Sequence, residues 1–416
     1  MEQKEKLDDG TRKRFAAGSA IFLSFIVAFE IAIMISPFAF FFYAAFNPFL
    51  LALNQSALTR WLTAFFLPHM VVPPNEVLTI IRIAGSVLFV IGMLIFLVCA
   101  LQVYLGKLLK WGVAAKGLYA VIRHPQYLGL GLAGLGLAIM WPRFLTLVLL
   151  AIMLFLYYLL AKDEERRMTN RFEDSYIAYM KQTGMFLPYS VEKPFARDRE
   201  EKGLGIGKAV AMLLVLLVVI VGSGFILRAY TVRHLPLDKV ENVDAIAITQ
   251  EDLIAARDLL PAVLKDPVVA SKLNPVQNPG SHRRLAYFIP IDYVMQGMIA
   301  ETGGEWKLFE HHKTIGMITE YIFHPFAHLT GGHSHHAGMQ IHNPSMHDSP
   351  AMKRRIIFIE ISPTDGELKS PSDDFNINAE RTPLFFVDVH LHTGEILQIK
   401  DVPSGTGWGA VPTPMF

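Results

Sequence analysis

The chain has 416 residues, 52% of them hydrophobic and 29 of them Phe, with a mean hydropathy of +0.36. That is too apolar for an ordinary soluble enzyme and points to membrane segments. A net charge of +1 gives no basis for nucleic-acid binding, and the single cysteine, Cys99, excludes both a disulfide framework and a Cys-based metal site.

A helix needs ~20 apolar residues to cross a bilayer. The first candidate runs from about Phe15 to Phe46 behind Arg12, Lys13 and Arg14, with no small-residue cleavage site after a short core, so it reads as an anchor rather than a cleaved signal. Residues 47–77 are apolar but broken by Pro48, Pro68, Pro73 and Pro74, which suits interfacial helix and loop better than a span. A second span is expected from about Leu78 to Tyr104. The third, Tyr127 to Trp141, and the fourth, Phe144 to Leu160, are separated only by Pro142-Arg143 and must form a helical hairpin. The fifth is Ala209 to Leu227.

Lys and Arg crowd before the first span, in 107–123 and in 162–208, while the Pro142-Arg143 turn is nearly bare. With five spans these basic regions share one side, cytoplasmic by the positive-inside rule, and the chain after Arg228 falls on the other. The expected fold is therefore an all-α multi-pass membrane domain of about five helices over 1–200, with the fifth helix and a linker over 201–228. A smaller α+β extracytoplasmic domain over 229–416 follows, periplasmic if the source is bacterial. In that domain Thr249-Gln-Glu-Asp is expected to cap a helix through Leu264. Arg355 to Ile361 reads as a strand, and Pro383 to Leu391 with Glu395 to Ile399 as a hairpin around Thr393-Gly394.

Most of the fifteen histidines fall late in the chain. His324 and His328, four apart, would share a helix face, and the Gly-flanked His333, His335 and His336 could close on the same ion. Imidazole suits zinc or copper, and nearby Met339 and Met346 favour copper(I). A transition metal there competes with a flexible His-rich loop, since no Cys or firm carboxylate set completes a known signature.

The polar content at the mouth of the hairpin is the stronger signal. Ionisable groups beside a membrane helix are costly. The hairpin returns the chain to the face it left, so Glu164 and Glu165 of Ala161-Lys-Asp-Glu-Glu-Arg-Arg167 must lie near Arg123, His124, Pro125 and Tyr127. Such a pocket opens to both water and lipid. Taken singly, Arg-His at a helix start is often a snorkelling anchor, and Glu-Glu-Arg-Arg a solvated face.

The run Gly117-Leu-Tyr-Ala-Val-Ile-Arg-His-Pro-Gln-Tyr-Leu-Gly129, then Glu164-Glu165, Phe172, Tyr176, Tyr179 and Leu187-Pro188, resembles the isoprenylcysteine carboxyl methyltransferase and phospholipid methyltransferase superfamily of integral-membrane enzymes. The resemblance implies S-adenosylmethionine as cofactor and a membrane lipid or lipidated substrate as acceptor. It implies Tyr119, Arg123, His124, Pro125, Tyr127, Gly129, Glu164 and Glu165 as cofactor contacts, with Arg123, His124 and Glu164 closest to the chemistry. Arg123 suits the cofactor carboxylate, a Glu suits its ammonium or ribose, and the aromatic rings suit its sulfonium. Gly129, Gly131, Gly134 and Gly136 serve either helix packing or close cofactor approach. Glu173 departs from the pattern, which usually carries Gly after the Phe. The competing functions are a non-catalytic protein of the same fold that handles or senses a metal through its His-rich outer domain, and a subunit of a larger membrane complex whose outer domain docks a protein partner.

Overall fold

A computed structural model of the chain describes residues 47–68, 71–109, 116–194, 205–273, 283–291, 352–362 and 374–402. These divide into two compact units, one holding 80–224 and the other 45–79 with 225–416.

The first unit is helical. Helices α2 (Glu76–Leu108), α4 (Phe144–Gln182) and α6 (Ile206–Val232) are the three that, among the described residues, are long and apolar enough to cross a membrane. Between α2 and α4 lies α3 (Pro125–Met140), a shorter apolar helix with Pro at its first turn, where the missing N–H costs nothing. Against an expectation of about five spans, the described residues hold three long apolar helices and one shorter one, and the expected first span, Phe15 to Phe46, lies outside the described residues. α3 and α4 form the hairpin around Pro142-Arg143. α4 runs well past the expected end at Leu160, through a charged second half that hydropathy does not signal and that is kinked by non-helical backbone at Glu173.

Glycines set the spacing of α2 and α3. A Cβ on Gly92 would sit 2.4 Å from the Gly129 carbonyl and from Ala133 N, and one on Gly136 would sit 2.5 Å from Phe89 N. Contact at that range requires backbone against backbone. Gly131 and Gly134 instead face Leu154 and Met153 of α4. Both glycine rows of α3 are filled by neighbouring helices.

The second unit is built on a sheet. Strands β1 (Leu237–Val240), β2 (Val243–Ala247), β3 (Arg283–Pro290), β4 (Lys353–Ser362), β5 (Glu380–His390) and β6 (Ile396–Asp401) form a sheet in that spatial order. All neighbours are antiparallel except β2 and β3, which are parallel. A parallel pair needs a crossover, supplied by α7 (Gln250–Lys265) and α8 (Pro267–Lys272). Thr249 caps α7 as expected, its hydroxyl accepting from Asp252 N at 3.1 Å. Gly394 has φ +69°, the left-handed turn expected of the β5–β6 hairpin. Pro383 is tolerated in a paired strand because it sits at the register shift opposite Phe358-Ile359.

Both faces of this sheet are apolar, so its central strands read as continuous hydrophobic runs. Ala286, Phe288, Ile356, Phe358, Phe385 and Val387 pack under α7. Leu285, Tyr287, Ile357, Ile359 and Phe386 form the other layer, together with Phe65 and Val71. The proline-broken stretch, read from sequence as interfacial helix and loop, is therefore in part a cover for the sheet. It holds a short helix, α1 (Asn47–Asn54), and Val72 N donates to Ile248 O at 2.7 Å.

Candidate functional site

The local chain around Arg123 is held by backbone bonds. A 3₁₀ turn over Gly117–Ala120 opens with Gly117 at φ +64°. Ile122 then bridges to Gly184, with Arg123 N donating to Gly184 O at 2.8 Å and His124 N to Met185 O at 3.1 Å. His124 is the residue before α3, so its side chain stands at the helix mouth, where the returning α4 brings its carboxylates.

The expected cluster forms. Arg123 Nε donates to Glu165 Oε1 at 2.7 Å, and its Nη1 donates to the carbonyls of Met180, at 3.2 Å, and Thr183. His124 Nδ1 lies 3.5 Å from Glu164 Oε2, and Nε2 lies 3.6 Å from Glu165 Oε1. Lys162 Nζ reaches Glu165 Oε2 at 3.3 Å. Arg123, His124 and Glu165 are largely buried, whereas the Glu164 side chain is 47% exposed. Glu165 is thus the buried centre and Glu164 the rim. Burial alone would pull the His124 imidazole down, but the carboxylates of Glu164 and Glu165 beside it outweigh burial and hold the imidazole above its ordinary value.

Aromatic rings line one side. His124 stacks on Tyr127 at 5.7 Å between centroids, and Tyr127 on Tyr157 at 5.2 Å. Phe186 stands 6.0 Å from His124. Tyr179 donates to the Tyr119 carbonyl and packs against Tyr176, so the tyrosine tail fastens the 3₁₀ turn. The structure gathers Tyr119, Arg123, His124, Tyr127, Glu164 and Glu165. Pro125 begins α3, and Gly129 faces the α2 backbone.

Sequence reasoning missed Lys162, Tyr157, Phe186 and the carbonyls of Met180, Thr183 and Gly184. Lys162 and Tyr157 stood in the quoted helix and were within reach of the hairpin argument. Carbonyl contacts leave no mark in side-chain identity.

Residues 80–175 match a family model described as phospholipid methyltransferase. The match falls on the segment whose motifs resemble that superfamily. The match spans under a quarter of the chain and contains Arg123, His124, Tyr127, Glu164 and Glu165. A search of curated proteins and a search of solved structures each returned no match. The methyltransferase-like segment ends before Met180, so the loop that fixes Arg123 lies beyond it. The histidines named as metal ligands, His324, His328, His333, His335 and His336, lie outside the described residues. Among the described residues no group of three or more His, Cys, Asp or Glu side chains is arranged to hold a metal.

Proposed function

We propose that the chain is a membrane-embedded, S-adenosylmethionine-dependent methyltransferase acting on a lipophilic acceptor, a carboxylate or amine of an isoprenoid or lipid, at the cytoplasmic membrane face. The observation that carries this reading is the joining of Arg123, His124, Glu164 and Glu165 across 40 positions of sequence within the family-matched segment.

The residues fit the cofactor. The bonds of Arg123 run from Nε and Nη1, which leaves Nη2 for a ligand carboxylate. His124 Nε2 is buried with no hydrogen-bond partner among the described residues. Glu164 is exposed enough to take an ammonium or a ribose diol, and Tyr127, Tyr157 and Phe186 supply an aromatic wall beside His124. When bound, the cofactor supplies an electrophilic methyl group.

The protein's part is positioning and exclusion of water. Arg123 is rigid because a carboxylate and two carbonyls hold it. An acceptor carboxylate needs no proton removed, whereas an amine does. The outer domain is proposed to be extracytoplasmic.

Calorimetry of S-adenosylmethionine binding to the detergent-purified protein tests the reading. Micromolar binding by the wild type, weakened at least tenfold by Glu164→Ala and abolished by Arg123→Ala, is the expected result. A folded wild type that binds no cofactor would sink it.

A further inference from the structure

The chain from Met180 to Leu187 has two sides with different partners. Its carbonyls face the site: Met180 O and Thr183 O accept from the Arg123 guanidinium, Gly184 O from Arg123 N, and Met185 O from His124 N. Its last three amides, those of residues 185–187, converge on one carboxylate. Met185 N donates to Glu192 Oε2 at 2.7 Å, and Phe186 N and Leu187 N donate to Oε1 at 2.8 and 2.9 Å.

Three successive amides without partners would be costly in a half-buried turn, and a carboxylate meets all three with charge-assisted bonds. The turn offers no looser alternative. A Cβ on Gly184 would fall 1.7 Å from the Leu187 carbonyl, so the bend is closed to its limit. Glu192 itself is brought back by α5 (Tyr189–Glu192), a single turn begun by Pro188.

We propose that Glu192 is a positioning residue for the cofactor site: by gathering the 185–187 amides it fixes the loop whose carbonyls hold Arg123 and His124. This rests on the methyltransferase reading above. Glu192 lies beyond the family-matched segment, so it adds a component that the matched residues do not contain.

The test uses the full chain in detergent, comparing wild type with Glu192→Gln and Glu192→Ala. Gln keeps one acceptor oxygen but turns the other into a donor that confronts Met185 N. Three quantities are measured: amide exchange over 184–187, S-adenosylmethionine affinity by calorimetry, and the thermal midpoint. The expected result is faster exchange at 185–187 and cofactor affinity lowered about tenfold to a hundredfold, at an unchanged midpoint. Faster exchange with unchanged affinity would make Glu192 a local turn stabiliser and overturn the proposal. Unchanged exchange would remove the clamp itself, and a collapsed midpoint would assign the lost affinity to misfolding. A wild type that protects these amides but binds no cofactor overturns the functional reading, and the positioning role with it, while leaving the clamp in place.

Discussion

Glu173 holds φ +44° and ψ −125° inside α4, a backbone conformation that a side chain with a Cβ rarely adopts. It is also the position at which Glu departs from the resembled pattern, so the departure noted in the sequence falls on the residue that bends the helix. The bend precedes Met180 and Thr183, whose carbonyls then hold Arg123. Replacing the side chain should relieve the conformation: Glu173→Gly is expected to stabilise the protein by about 1 kcal/mol. Thermal unfolding would read this as a higher midpoint, and an equal or lower one would show that the bend is unstrained. At this scale the Arg123–Glu165 pair was legible, because a hairpin fixes which ends meet. The Glu192 clamp was not, because its partners are backbone amides, which every residue but proline carries.

Close approach of α2 and α3 depends on Gly92 and Gly129, each of which meets the other helix's backbone. Backbone cannot swing aside as a side chain can, so Gly92→Ala and Gly129→Ala should each cost about 1–3 kcal/mol. Gly106→Ala is the control, since nothing lies within 4 Å of where its Cβ would be. A thermal midpoint in detergent that falls for all three alike would disprove a specific seam. Hydropathy located α2, α3 and α6 to within a few residues of their ends. It could not separate packing from ligand contact in the small residues of α3, since both demand a missing Cβ. It left part of 47–77 unread: prolines announce an irregular path, but not that Phe65 and Val71 lie under a sheet whose first strand begins at Leu237.

On the scale of the whole molecule, the sheet unit carries buried charge of its own. Within the sheet unit, Arg283 Nε is 3.1 Å from Asp374 Oδ1 while its Nη2 holds Asp244, so two buried carboxylates share one guanidinium. Burial pushes the Asp374 carboxyl up, Arg283 pulls it down, and Asp244 pushes it up again, leaving it above the ordinary carboxylate range. A carboxyl whose folded pKa is raised contributes stability that is full below its unfolded pKa of ~4 and is lost as pH rises through the folded value. The stability of the wild type minus that of Asp374→Asn should therefore decline between pH ~4 and neutrality. Paired denaturation curves of the full-length proteins would check this, and a difference that rises over that window would place the charge on the proton-free form.

The length of α4 has a last implication for the acceptor. From Phe144 to Glu165 the helix rises about 32 Å at ~1.5 Å per residue, close to the ~30 Å hydrocarbon thickness of a bilayer. A helix entering the membrane at Phe144 is thus a ruler that brings its paired carboxylates out at the opposite surface. For the methyltransferase proposed above, an acceptor whose reactive atom rides at headgroup level, with only its tail in oil, would be at the right depth; one that reacts in the middle of the leaflet would be a helix turn or more too deep.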